Sequence, residues 1–204
     1  MYTGSWNEYT YIVTGSSGSG KSQVCKLMAD LGAYVVSADD LARQALAPGS
    51  AGLKLVHELF GEKVFSGEEL NRKALQEIIF ADKALKQKLE EITHPIIGKL
   101  AEEAFTTLAK QGSKILLYDC PLYFESKLRE KKFRGIILVT ASDEVKIARL
   151  IARDGILEPT ARQRLSHQAS DEERVPLVDF VIKNNGSLLE LKSKVEKIFQ
   201  LLAP

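Results

Sequence analysis

With 204 residues, 28 basic and 27 acidic side chains and a formal net charge of +1, the chain is long enough for one α/β domain with a real core. It carries no global electrostatic drive toward nucleic acid or an anionic membrane, so neither is expected as a partner. Its longest apolar runs, such as Gly135 to Thr140, are too short to span a bilayer. Residues 1–10 are polar and aromatic, without a basic-then-apolar signal pattern, and no role is assigned to them. Cys25 and Cys120 then read as reduced core thiols rather than a disulfide, and a soluble, cytoplasmic enzyme is the default expectation.

Tyr9 to Thr14 reads as a buried strand that runs directly into Gly15-Ser16-Ser17-Gly18-Ser19-Gly20-Lys21-Ser22. This run fits G-x-x-x-x-G-K-[ST] at every defined position, and the helical pattern of Val24, Leu27, Met28 and Leu31 follows it. A strand–loop–helix context is what that motif requires. The glycines permit a tight turn with inward backbone N–H groups, and the helix adds the positive end of its dipole. Lys21 then reaches the β- and γ-phosphates and the Ser22 hydroxyl ligates Mg²⁺. The motif implies a nucleoside triphosphate site; a flexible glycine-serine turn is the bland alternative.

A second strand, Ala33 to Val36, leads into Ser37-Ala38-Asp39-Asp40 and places carboxylates at the C-terminal edge of the sheet, where ligands of open α/β sheets bind. A carboxylate there can take the proton of an attacking hydroxyl, or either acid can cap the next helix. From about Asp40 to Gln111 no strand is expected, only helical periodicity as in Leu53, Val56, Leu59, Phe60 and Leu75, Ile78, Ile79. That is too long for a single crossover and predicts an inserted helical lobe suited to an acceptor substrate. His94-Pro95 reads as a helix start with Pro95 at its first position. His57 and His167 stand alone, and no Cys/His spacing suggests zinc.

The third strand, Lys114 to Tyr118, ends in Asp119, a candidate to hold Mg²⁺ through water, although acids often follow strands. Pro121, Leu122 and Glu125 come next, with Glu125 either a second site carboxylate or an early-helix acid. After a fourth strand, Gly135 to Thr140, Arg149 and Arg153 stand four apart and face one way on a helix. Lys146, Arg149, Arg153, Arg162 and Arg164 face only two acids in that stretch, Asp154 and Glu158, which predicts an arginine-bearing lid over 149–170. A solvated helix face is the alternative. A fifth strand, Phe180 to Ile182, precedes Asn184-Asn185-Gly186, a tight turn or a frame for an adenine. Thr160-x-x-Gln163, Ser170-x-x-Glu173 and Ser187-x-x-Glu190 all fit the capping box, and Leu188 to Leu202 carries an apolar stripe.

The predicted fold is α/β, with a five-stranded parallel sheet, an inserted helical substrate lobe and an arginine-bearing lid. Residues 10–50 and 112–204 form the nucleotide-binding core of this single domain, and 51–111 form the lobe.

In order along Tyr11 to Leu191, the chain also carries Ala38-Asp39 with Ala42-Arg43, Leu70-Asn71-Arg72, His94-Pro95-Ile96-Ile97, Pro121-Leu122 with Glu125, Arg149, Arg153-Asp154, Arg164 with Gln168, and Asn184 with Gly186. With the glycine loop, this series resembles the dephospho-coenzyme A kinase family. The resemblance implies a three-layer P-loop kinase fold and ATP-dependent phosphorylation of the ribose 3′-hydroxyl of dephospho-coenzyme A, with ATP and Mg²⁺ as cofactors. It implies phosphate contacts from Gly15, Gly18, Ser19, Gly20, Lys21, Ser22 and Gln23, with Arg149 and Arg153 on ATP and Asn184 near the adenine. It favours Asp39 over Asp40 beside the acceptor hydroxyl, and makes Arg43, Arg72, His94, Pro121 and Leu122 candidates for binding the acceptor. Ser37, Gln23 and Lys183 depart from the family pattern, which has an acid, Thr and an acid there. A monomer or small homo-oligomer is expected. Another small-molecule P-loop kinase is the nearest rival; a nucleotide switch is disfavoured because a guanine-reading Asn-Lys-x-Asp is absent.

Overall fold

The structure, a computed structural model, describes residues 6–111, 115–126 and 133–202, so Lys114 lies outside the described residues. Strand β1 (Thr10–Thr14) is buried at all five positions because it has a neighbour on each side. It pairs in parallel with β5 (Leu116–Asp119) and with β6 (Gly135–Thr140), in registers that set Val13 against Asp119 and Thr14 against Leu138. With β2 (Tyr34–Ser37) and β7 (Phe180–Lys183) the strands form a five-stranded sheet in the order β2-β5-β1-β6-β7. The expected five-stranded parallel sheet is present, with bounds shifted by a residue or two. Parallel strands put their C-terminal ends on one edge, and the loops after β1, β5, β6 and β7 gather there.

One sheet face is closed by α1 (Lys21–Asp30) and α9 (Leu188–Leu202), whose Val24, Met28, Leu191 and Val195 pack with Tyr11, Val13, Leu117 and Val139. Toward the other face, the Trp6 ring stacks on Phe105 with centroids 5.0 Å apart and meets Tyr118 edge-on at 5.5 Å. The chain is therefore part of the core from residue 6 onward. Contributions of about 0.5–1.5 kcal/mol per aromatic pair, beyond area burial, are usual for such packing.

Contacts divide the chain into two compact units, one running to Val36 and resuming at Phe105, the other Ser37–Ala104. The second contains α2 (Ala38–Ala45), α3 (Ala51–Phe60), α4 (Arg72–Ala81) and most of α5 (Lys83–Lys110). Its core joins Leu46, Val56, Phe60, Val64, Leu75 and Leu89. Ser50 caps α3 by accepting from the Leu53 N–H at 3.1 Å, and Asn71 caps α4 by accepting from Ala74 at 3.0 Å. Leu70-Asn71-Arg72 is thus a strand end, a helix cap and a first helical residue.

Three expectations are corrected. The lobe is not free of strands: β3 (Phe65–Ser66) and β4 (Glu69–Leu70) pair antiparallel around Gly67-Glu68, a Gly-first pair suited to a two-residue hairpin loop. Pro95 does not begin a helix; it lies inside the 28-residue α5, where its missing N–H removes one bond of the helical ladder. Thr160 is no cap, because α7 (Glu158–Ser166) begins two residues earlier, with Pro159 in its first turn. The other two capping boxes form. Ser170 and Glu173 exchange bonds at the start of α8 (Asp171–Arg174), and Ser187 and Glu190 do so before α9.

Candidate active site: the glycine loop and its partners

Between β1 and α1 the loop folds on itself, with the Ser19 N–H donating to the Ser16 carbonyl at 3.1 Å. Gly20 is the N-cap of α1, in the left-handed region at φ 90° and ψ 19°, and supplies no side-chain cap. The Gln23 N–H donates to the Gly20 carbonyl at 3.0 Å, and the Lys21 and Ser22 amides at the start of α1 are left for an anion. A Cβ at Gly20 would lie 2.1 Å from Asn184 Nδ2, so space as well as conformation demands glycine.

Two residues from the next crossovers fix the loop. Arg149, on α6 (Asp143–Asp154), donates through NH1 to the Gly18 and Ser19 carbonyls at 3.3 and 3.2 Å, and through NH2 to the Asn184 carbonyl at 2.9 Å. Asn184, after β7, donates from Nδ2 to the same Ser19 carbonyl at 2.8 Å, and its own N–H is tied to Thr140 at 2.7 Å. In a trans peptide the carbonyl and the following N–H point opposite ways. Drawing the Ser19 carbonyl toward Arg149 and Asn184 thus turns the Gly20 N–H in the other direction. The Ser19 hydroxyl is buried without a hydrogen-bond partner among the described residues.

The Lys21 ammonium forms an ion pair with the Asp119 carboxylate, and only 12% and 14% of the two side chains are exposed. Strand pairing explains the meeting, since Asp119 is level with Val13, two residues before the loop. One helical turn after Lys21, the Cys25 thiol is pushed up to about 12 by burial and by the Asp119 carboxylate beside it. Ser22 and Gln23 are exposed in the first turn of α1.

The basic stretch behaves differently from expectation. Of its five cations only Arg149 reaches the loop through its side chain. Arg153 is clamped by Asp154 at 2.7 and 2.9 Å, Arg164 bonds the same carboxylate at 2.7 Å, and Arg162 pairs with Glu158. The bond from Arg153, with the charge of Arg164 behind it, holds the Asp154 carboxyl below its ordinary range. Lys146 is buried on Asp143 and Asp171. Counting acids only within Lys146 to Arg164 missed Asp143 and Asp171.

After β5, the Pro121 carbonyl accepts from the Thr14 hydroxyl at 3.3 Å, and Leu122 is exposed. Glu125 lies in a turn rather than a helix and is the counter-ion of Arg174, at 2.8 Å. Arg174 is only 1% exposed, its guanidinium carbon lies 5.6 Å from the Phe124 ring centre, and its Nε and NH1 find no hydrogen-bond partner among the described residues. Sequence reasoning missed Arg174, because nothing marks an arginine in Asp-Glu-Glu-Arg as buried.

The remaining candidates belong to the helical unit. Asp39 is exposed in the first turn of α2, and its carboxylate accepts no hydrogen bond among the described residues. Neither Asp39 nor Asp40 caps that helix. Ser37 does, accepting from the Asp40 N–H at 3.2 Å. Arg43 pairs with Asp40 at 3.5 Å and donates to the Asp39 carbonyl at 3.5 Å. Arg72 and His94 are exposed, on α4 and α5.

A family model described as dephospho-CoA kinase matches residues 10–190. The dephospho-CoA kinase of Syntrophotalea carbinolica is 40% identical over 193 residues, covering 94% of this chain and 91% of its own. Among solved structures, a protein of Thermus thermophilus superposes with a TM-score of 0.84 at 29% identity, covering 96% of this chain and 97% of its own. The dephospho-CoA kinase of Campylobacter jejuni gives 0.70 at 28% identity, covering 96% and 98%.

Proposed function

This chain belongs to the dephospho-CoA kinase family, and we propose that it moves the γ-phosphoryl group of ATP in line onto the ribose 3′-hydroxyl of dephospho-coenzyme A. The observation that carries the reading is the wiring of the glycine loop. Arg149 and Asn184 hold its carbonyls, the uncapped start of α1 offers amides, and the Lys21 ammonium stands at the strand end beside it.

The triphosphate lies along these amides, and Lys21 exchanges Asp119 for the β- and γ-phosphates. Arg149 adds positive charge where the moving phosphoryl group spreads its own, the electrostatic contribution such transfers rely on. Asp39 takes the proton of the attacking hydroxyl; its uncommitted carboxylate suits that role. Arg43, Arg72 and His94 bind the acceptor's pyrophosphate or pantetheine side. Pro121 and Leu122 line its path, and Asn184 lies toward the adenine.

The Ser22 hydroxyl and the Asp119 carboxylate are hard oxygen donors that suit Mg²⁺, and those two residues would hold it. Bound there, Mg²⁺ supplies charge neutralisation on the phosphates. The two free cysteines, both buried, accord with a cytoplasmic location.

The test is a coupled assay with ATP, Mg²⁺ and a panel of acceptors, with the product identified by mass. The 3′-phosphorylated product should form much faster from dephospho-coenzyme A than from nucleoside monophosphates or shikimate. Equal turnover across the panel would overturn the assignment of the acceptor.

A further inference from the structure

The glycine loop is gripped at two ends by different parts of the chain. Arg149 and Asn184 hold the arm from Gly18 to Gly20. The other arm, Ser16 and Ser17, is held from beyond α7. The Ser17 N–H donates to Gln168 Oε1 at 2.9 Å, and the Ser16 hydroxyl donates to Asp171 Oδ1 at 3.3 Å. Because the partner in the first bond is an N–H, the Gln168 atom facing it must be the carbonyl oxygen.

Asp171 is fixed in turn. Its other oxygen takes the Lys146 ammonium at 2.7 Å, and 5% of the lysine and 13% of the aspartate side chain are exposed. As the first residue of α8, Asp171 follows the Ser170 cap. Lys146 also presents its backbone to the loop: a Cβ at Gly18 would lie 2.6 Å from the Lys146 carbonyl oxygen. Behind this contact is a cavity of about 510 Å³ bordered by Ser16, Lys146, Gln168 and Asp171. The loop is thus set there by these polar bonds together with the close approach of the Lys146 backbone to Gly18.

The two arms meet different parts of a nucleotide. Lys21, whose ammonium serves the β- and γ-phosphates, rests on Asp119, level with Val13, and Ser16 and Ser17 follow that strand end. On the kinase reading, this arm is assigned to the terminal phosphates. We propose that Gln168, with Asp171 and Lys146 behind it, is a positioning residue for the terminal phosphoryl group. It sets the Ser16–Ser17 peptide so that the loop discriminates triphosphate from diphosphate. This rests on the kinase reading above.

The experiment is calorimetric titration of ADP and of the β,γ-imido analogue of ATP into the wild-type chain, Gln168→Ala and Ser16→Ala, with steady-state kinetics alongside. Losing one hydrogen bond that orients the loop should weaken the analogue about 10-fold in Gln168→Ala while ADP changes less than about twofold. KM for ATP should rise by a similar factor, with the melting temperature nearly unmoved. Ser16→Ala should shift the analogue in the same direction by a smaller factor, and it carries the test if Gln168→Ala does not fold. Equal weakening of both nucleotides, or no weakening of either, would overturn the positioning role while leaving the kinase assignment intact. A wild-type chain that binds neither nucleotide overturns both.

Discussion

Glu125→Ala should destabilise the protein more than Arg174→Met, although the arginine is the more deeply buried partner. In the intact pair a guanidinium with 1% exposure is neutralised by one carboxylate at 2.8 Å, with Phe124 beneath it, and two of its donor nitrogens lack partners among the described residues. Removing Glu125 leaves a buried cation compensated only by a ring face. Breaking a buried ion pair typically costs about 3–5 kcal/mol, and the ring contact, present with and without Glu125, leaves that difference unchanged. The Glu125 side chain is 35% exposed, so water screens the pair, and the lower end, about 3 kcal/mol, is expected. At about 2–4 °C per kcal/mol for a chain of this size, the midpoint should fall by about 6–12 °C. Arg174→Met removes the cation and its unsatisfied donors together and leaves a carboxylate that water can reach, so about 1 kcal/mol is expected. Adding Arg174→Met to Glu125→Ala should recover part of the loss. Thermal and urea unfolding of the three variants is the assay. If Arg174→Met were as damaging as Glu125→Ala, or the double variant worse than either, the buried-charge reasoning would be wrong.

Asp39→Ala should lower kcat by about 10²–10⁴-fold, the usual scale of general-base catalysis, with ATP affinity little changed and Asp40→Ala close to wild type; near-normal turnover in Asp39→Ala removes it from the mechanism. Gly20→Ala should cost about 1–2 kcal/mol in backbone strain and push the Asn184 amide off Ser19. A Kd for ATP raised at least about 10-fold would follow, and an unchanged Kd would refute the role given to the Asn184 contact. The Cys25 thiol, at about 12 against an ordinary 9.0, should resist alkylation at pH 8.5 in the native chain and react once unfolded. Its raised value stabilises the fold fully below pH 9, and that contribution is lost as pH rises from 9 through about 12. Between pH 8 and 11, therefore, wild type should lose more urea stability than Cys25→Ala, and parallel loss in the two would refute this.

The phosphate loop was legible because independent signals agree there: an apolar strand, a spaced glycine motif and a helical period in succession. Helix α9 and the boxes at Ser170 and Ser187 were legible because caps are local chemistry. The hairpin of β3 and β4 was not, since two residues per strand are too few to show a period of two. Pro95 misled because a proline reads as a helix start, whereas a helix of 28 residues tolerates one missing bond. The partners of the cations were hidden for another reason. Lys146 meets Asp171 across 25 residues and Arg174 meets Glu125 across 49, pairings that only the tertiary fold creates.

The pairing of charges also bears on the proposal that Asp39, rather than Asp40, is the acceptor-side acid. An aspartate at position 37 would cap α2 about as well as serine does. The serine therefore keeps the bond to the Asp40 N–H and removes a negative charge from the helix entry. With the cap supplied by Ser37, neither following acid is needed for it. Asp40 is then occupied by Arg43 at 3.5 Å, while the Asp39 carboxylate remains uncommitted. Both carboxylates keep free lone pairs, but Asp40 shares its charge with the Arg43 guanidinium while Asp39 has no such neighbour among the described residues, and that difference supports the proposed choice of Asp39.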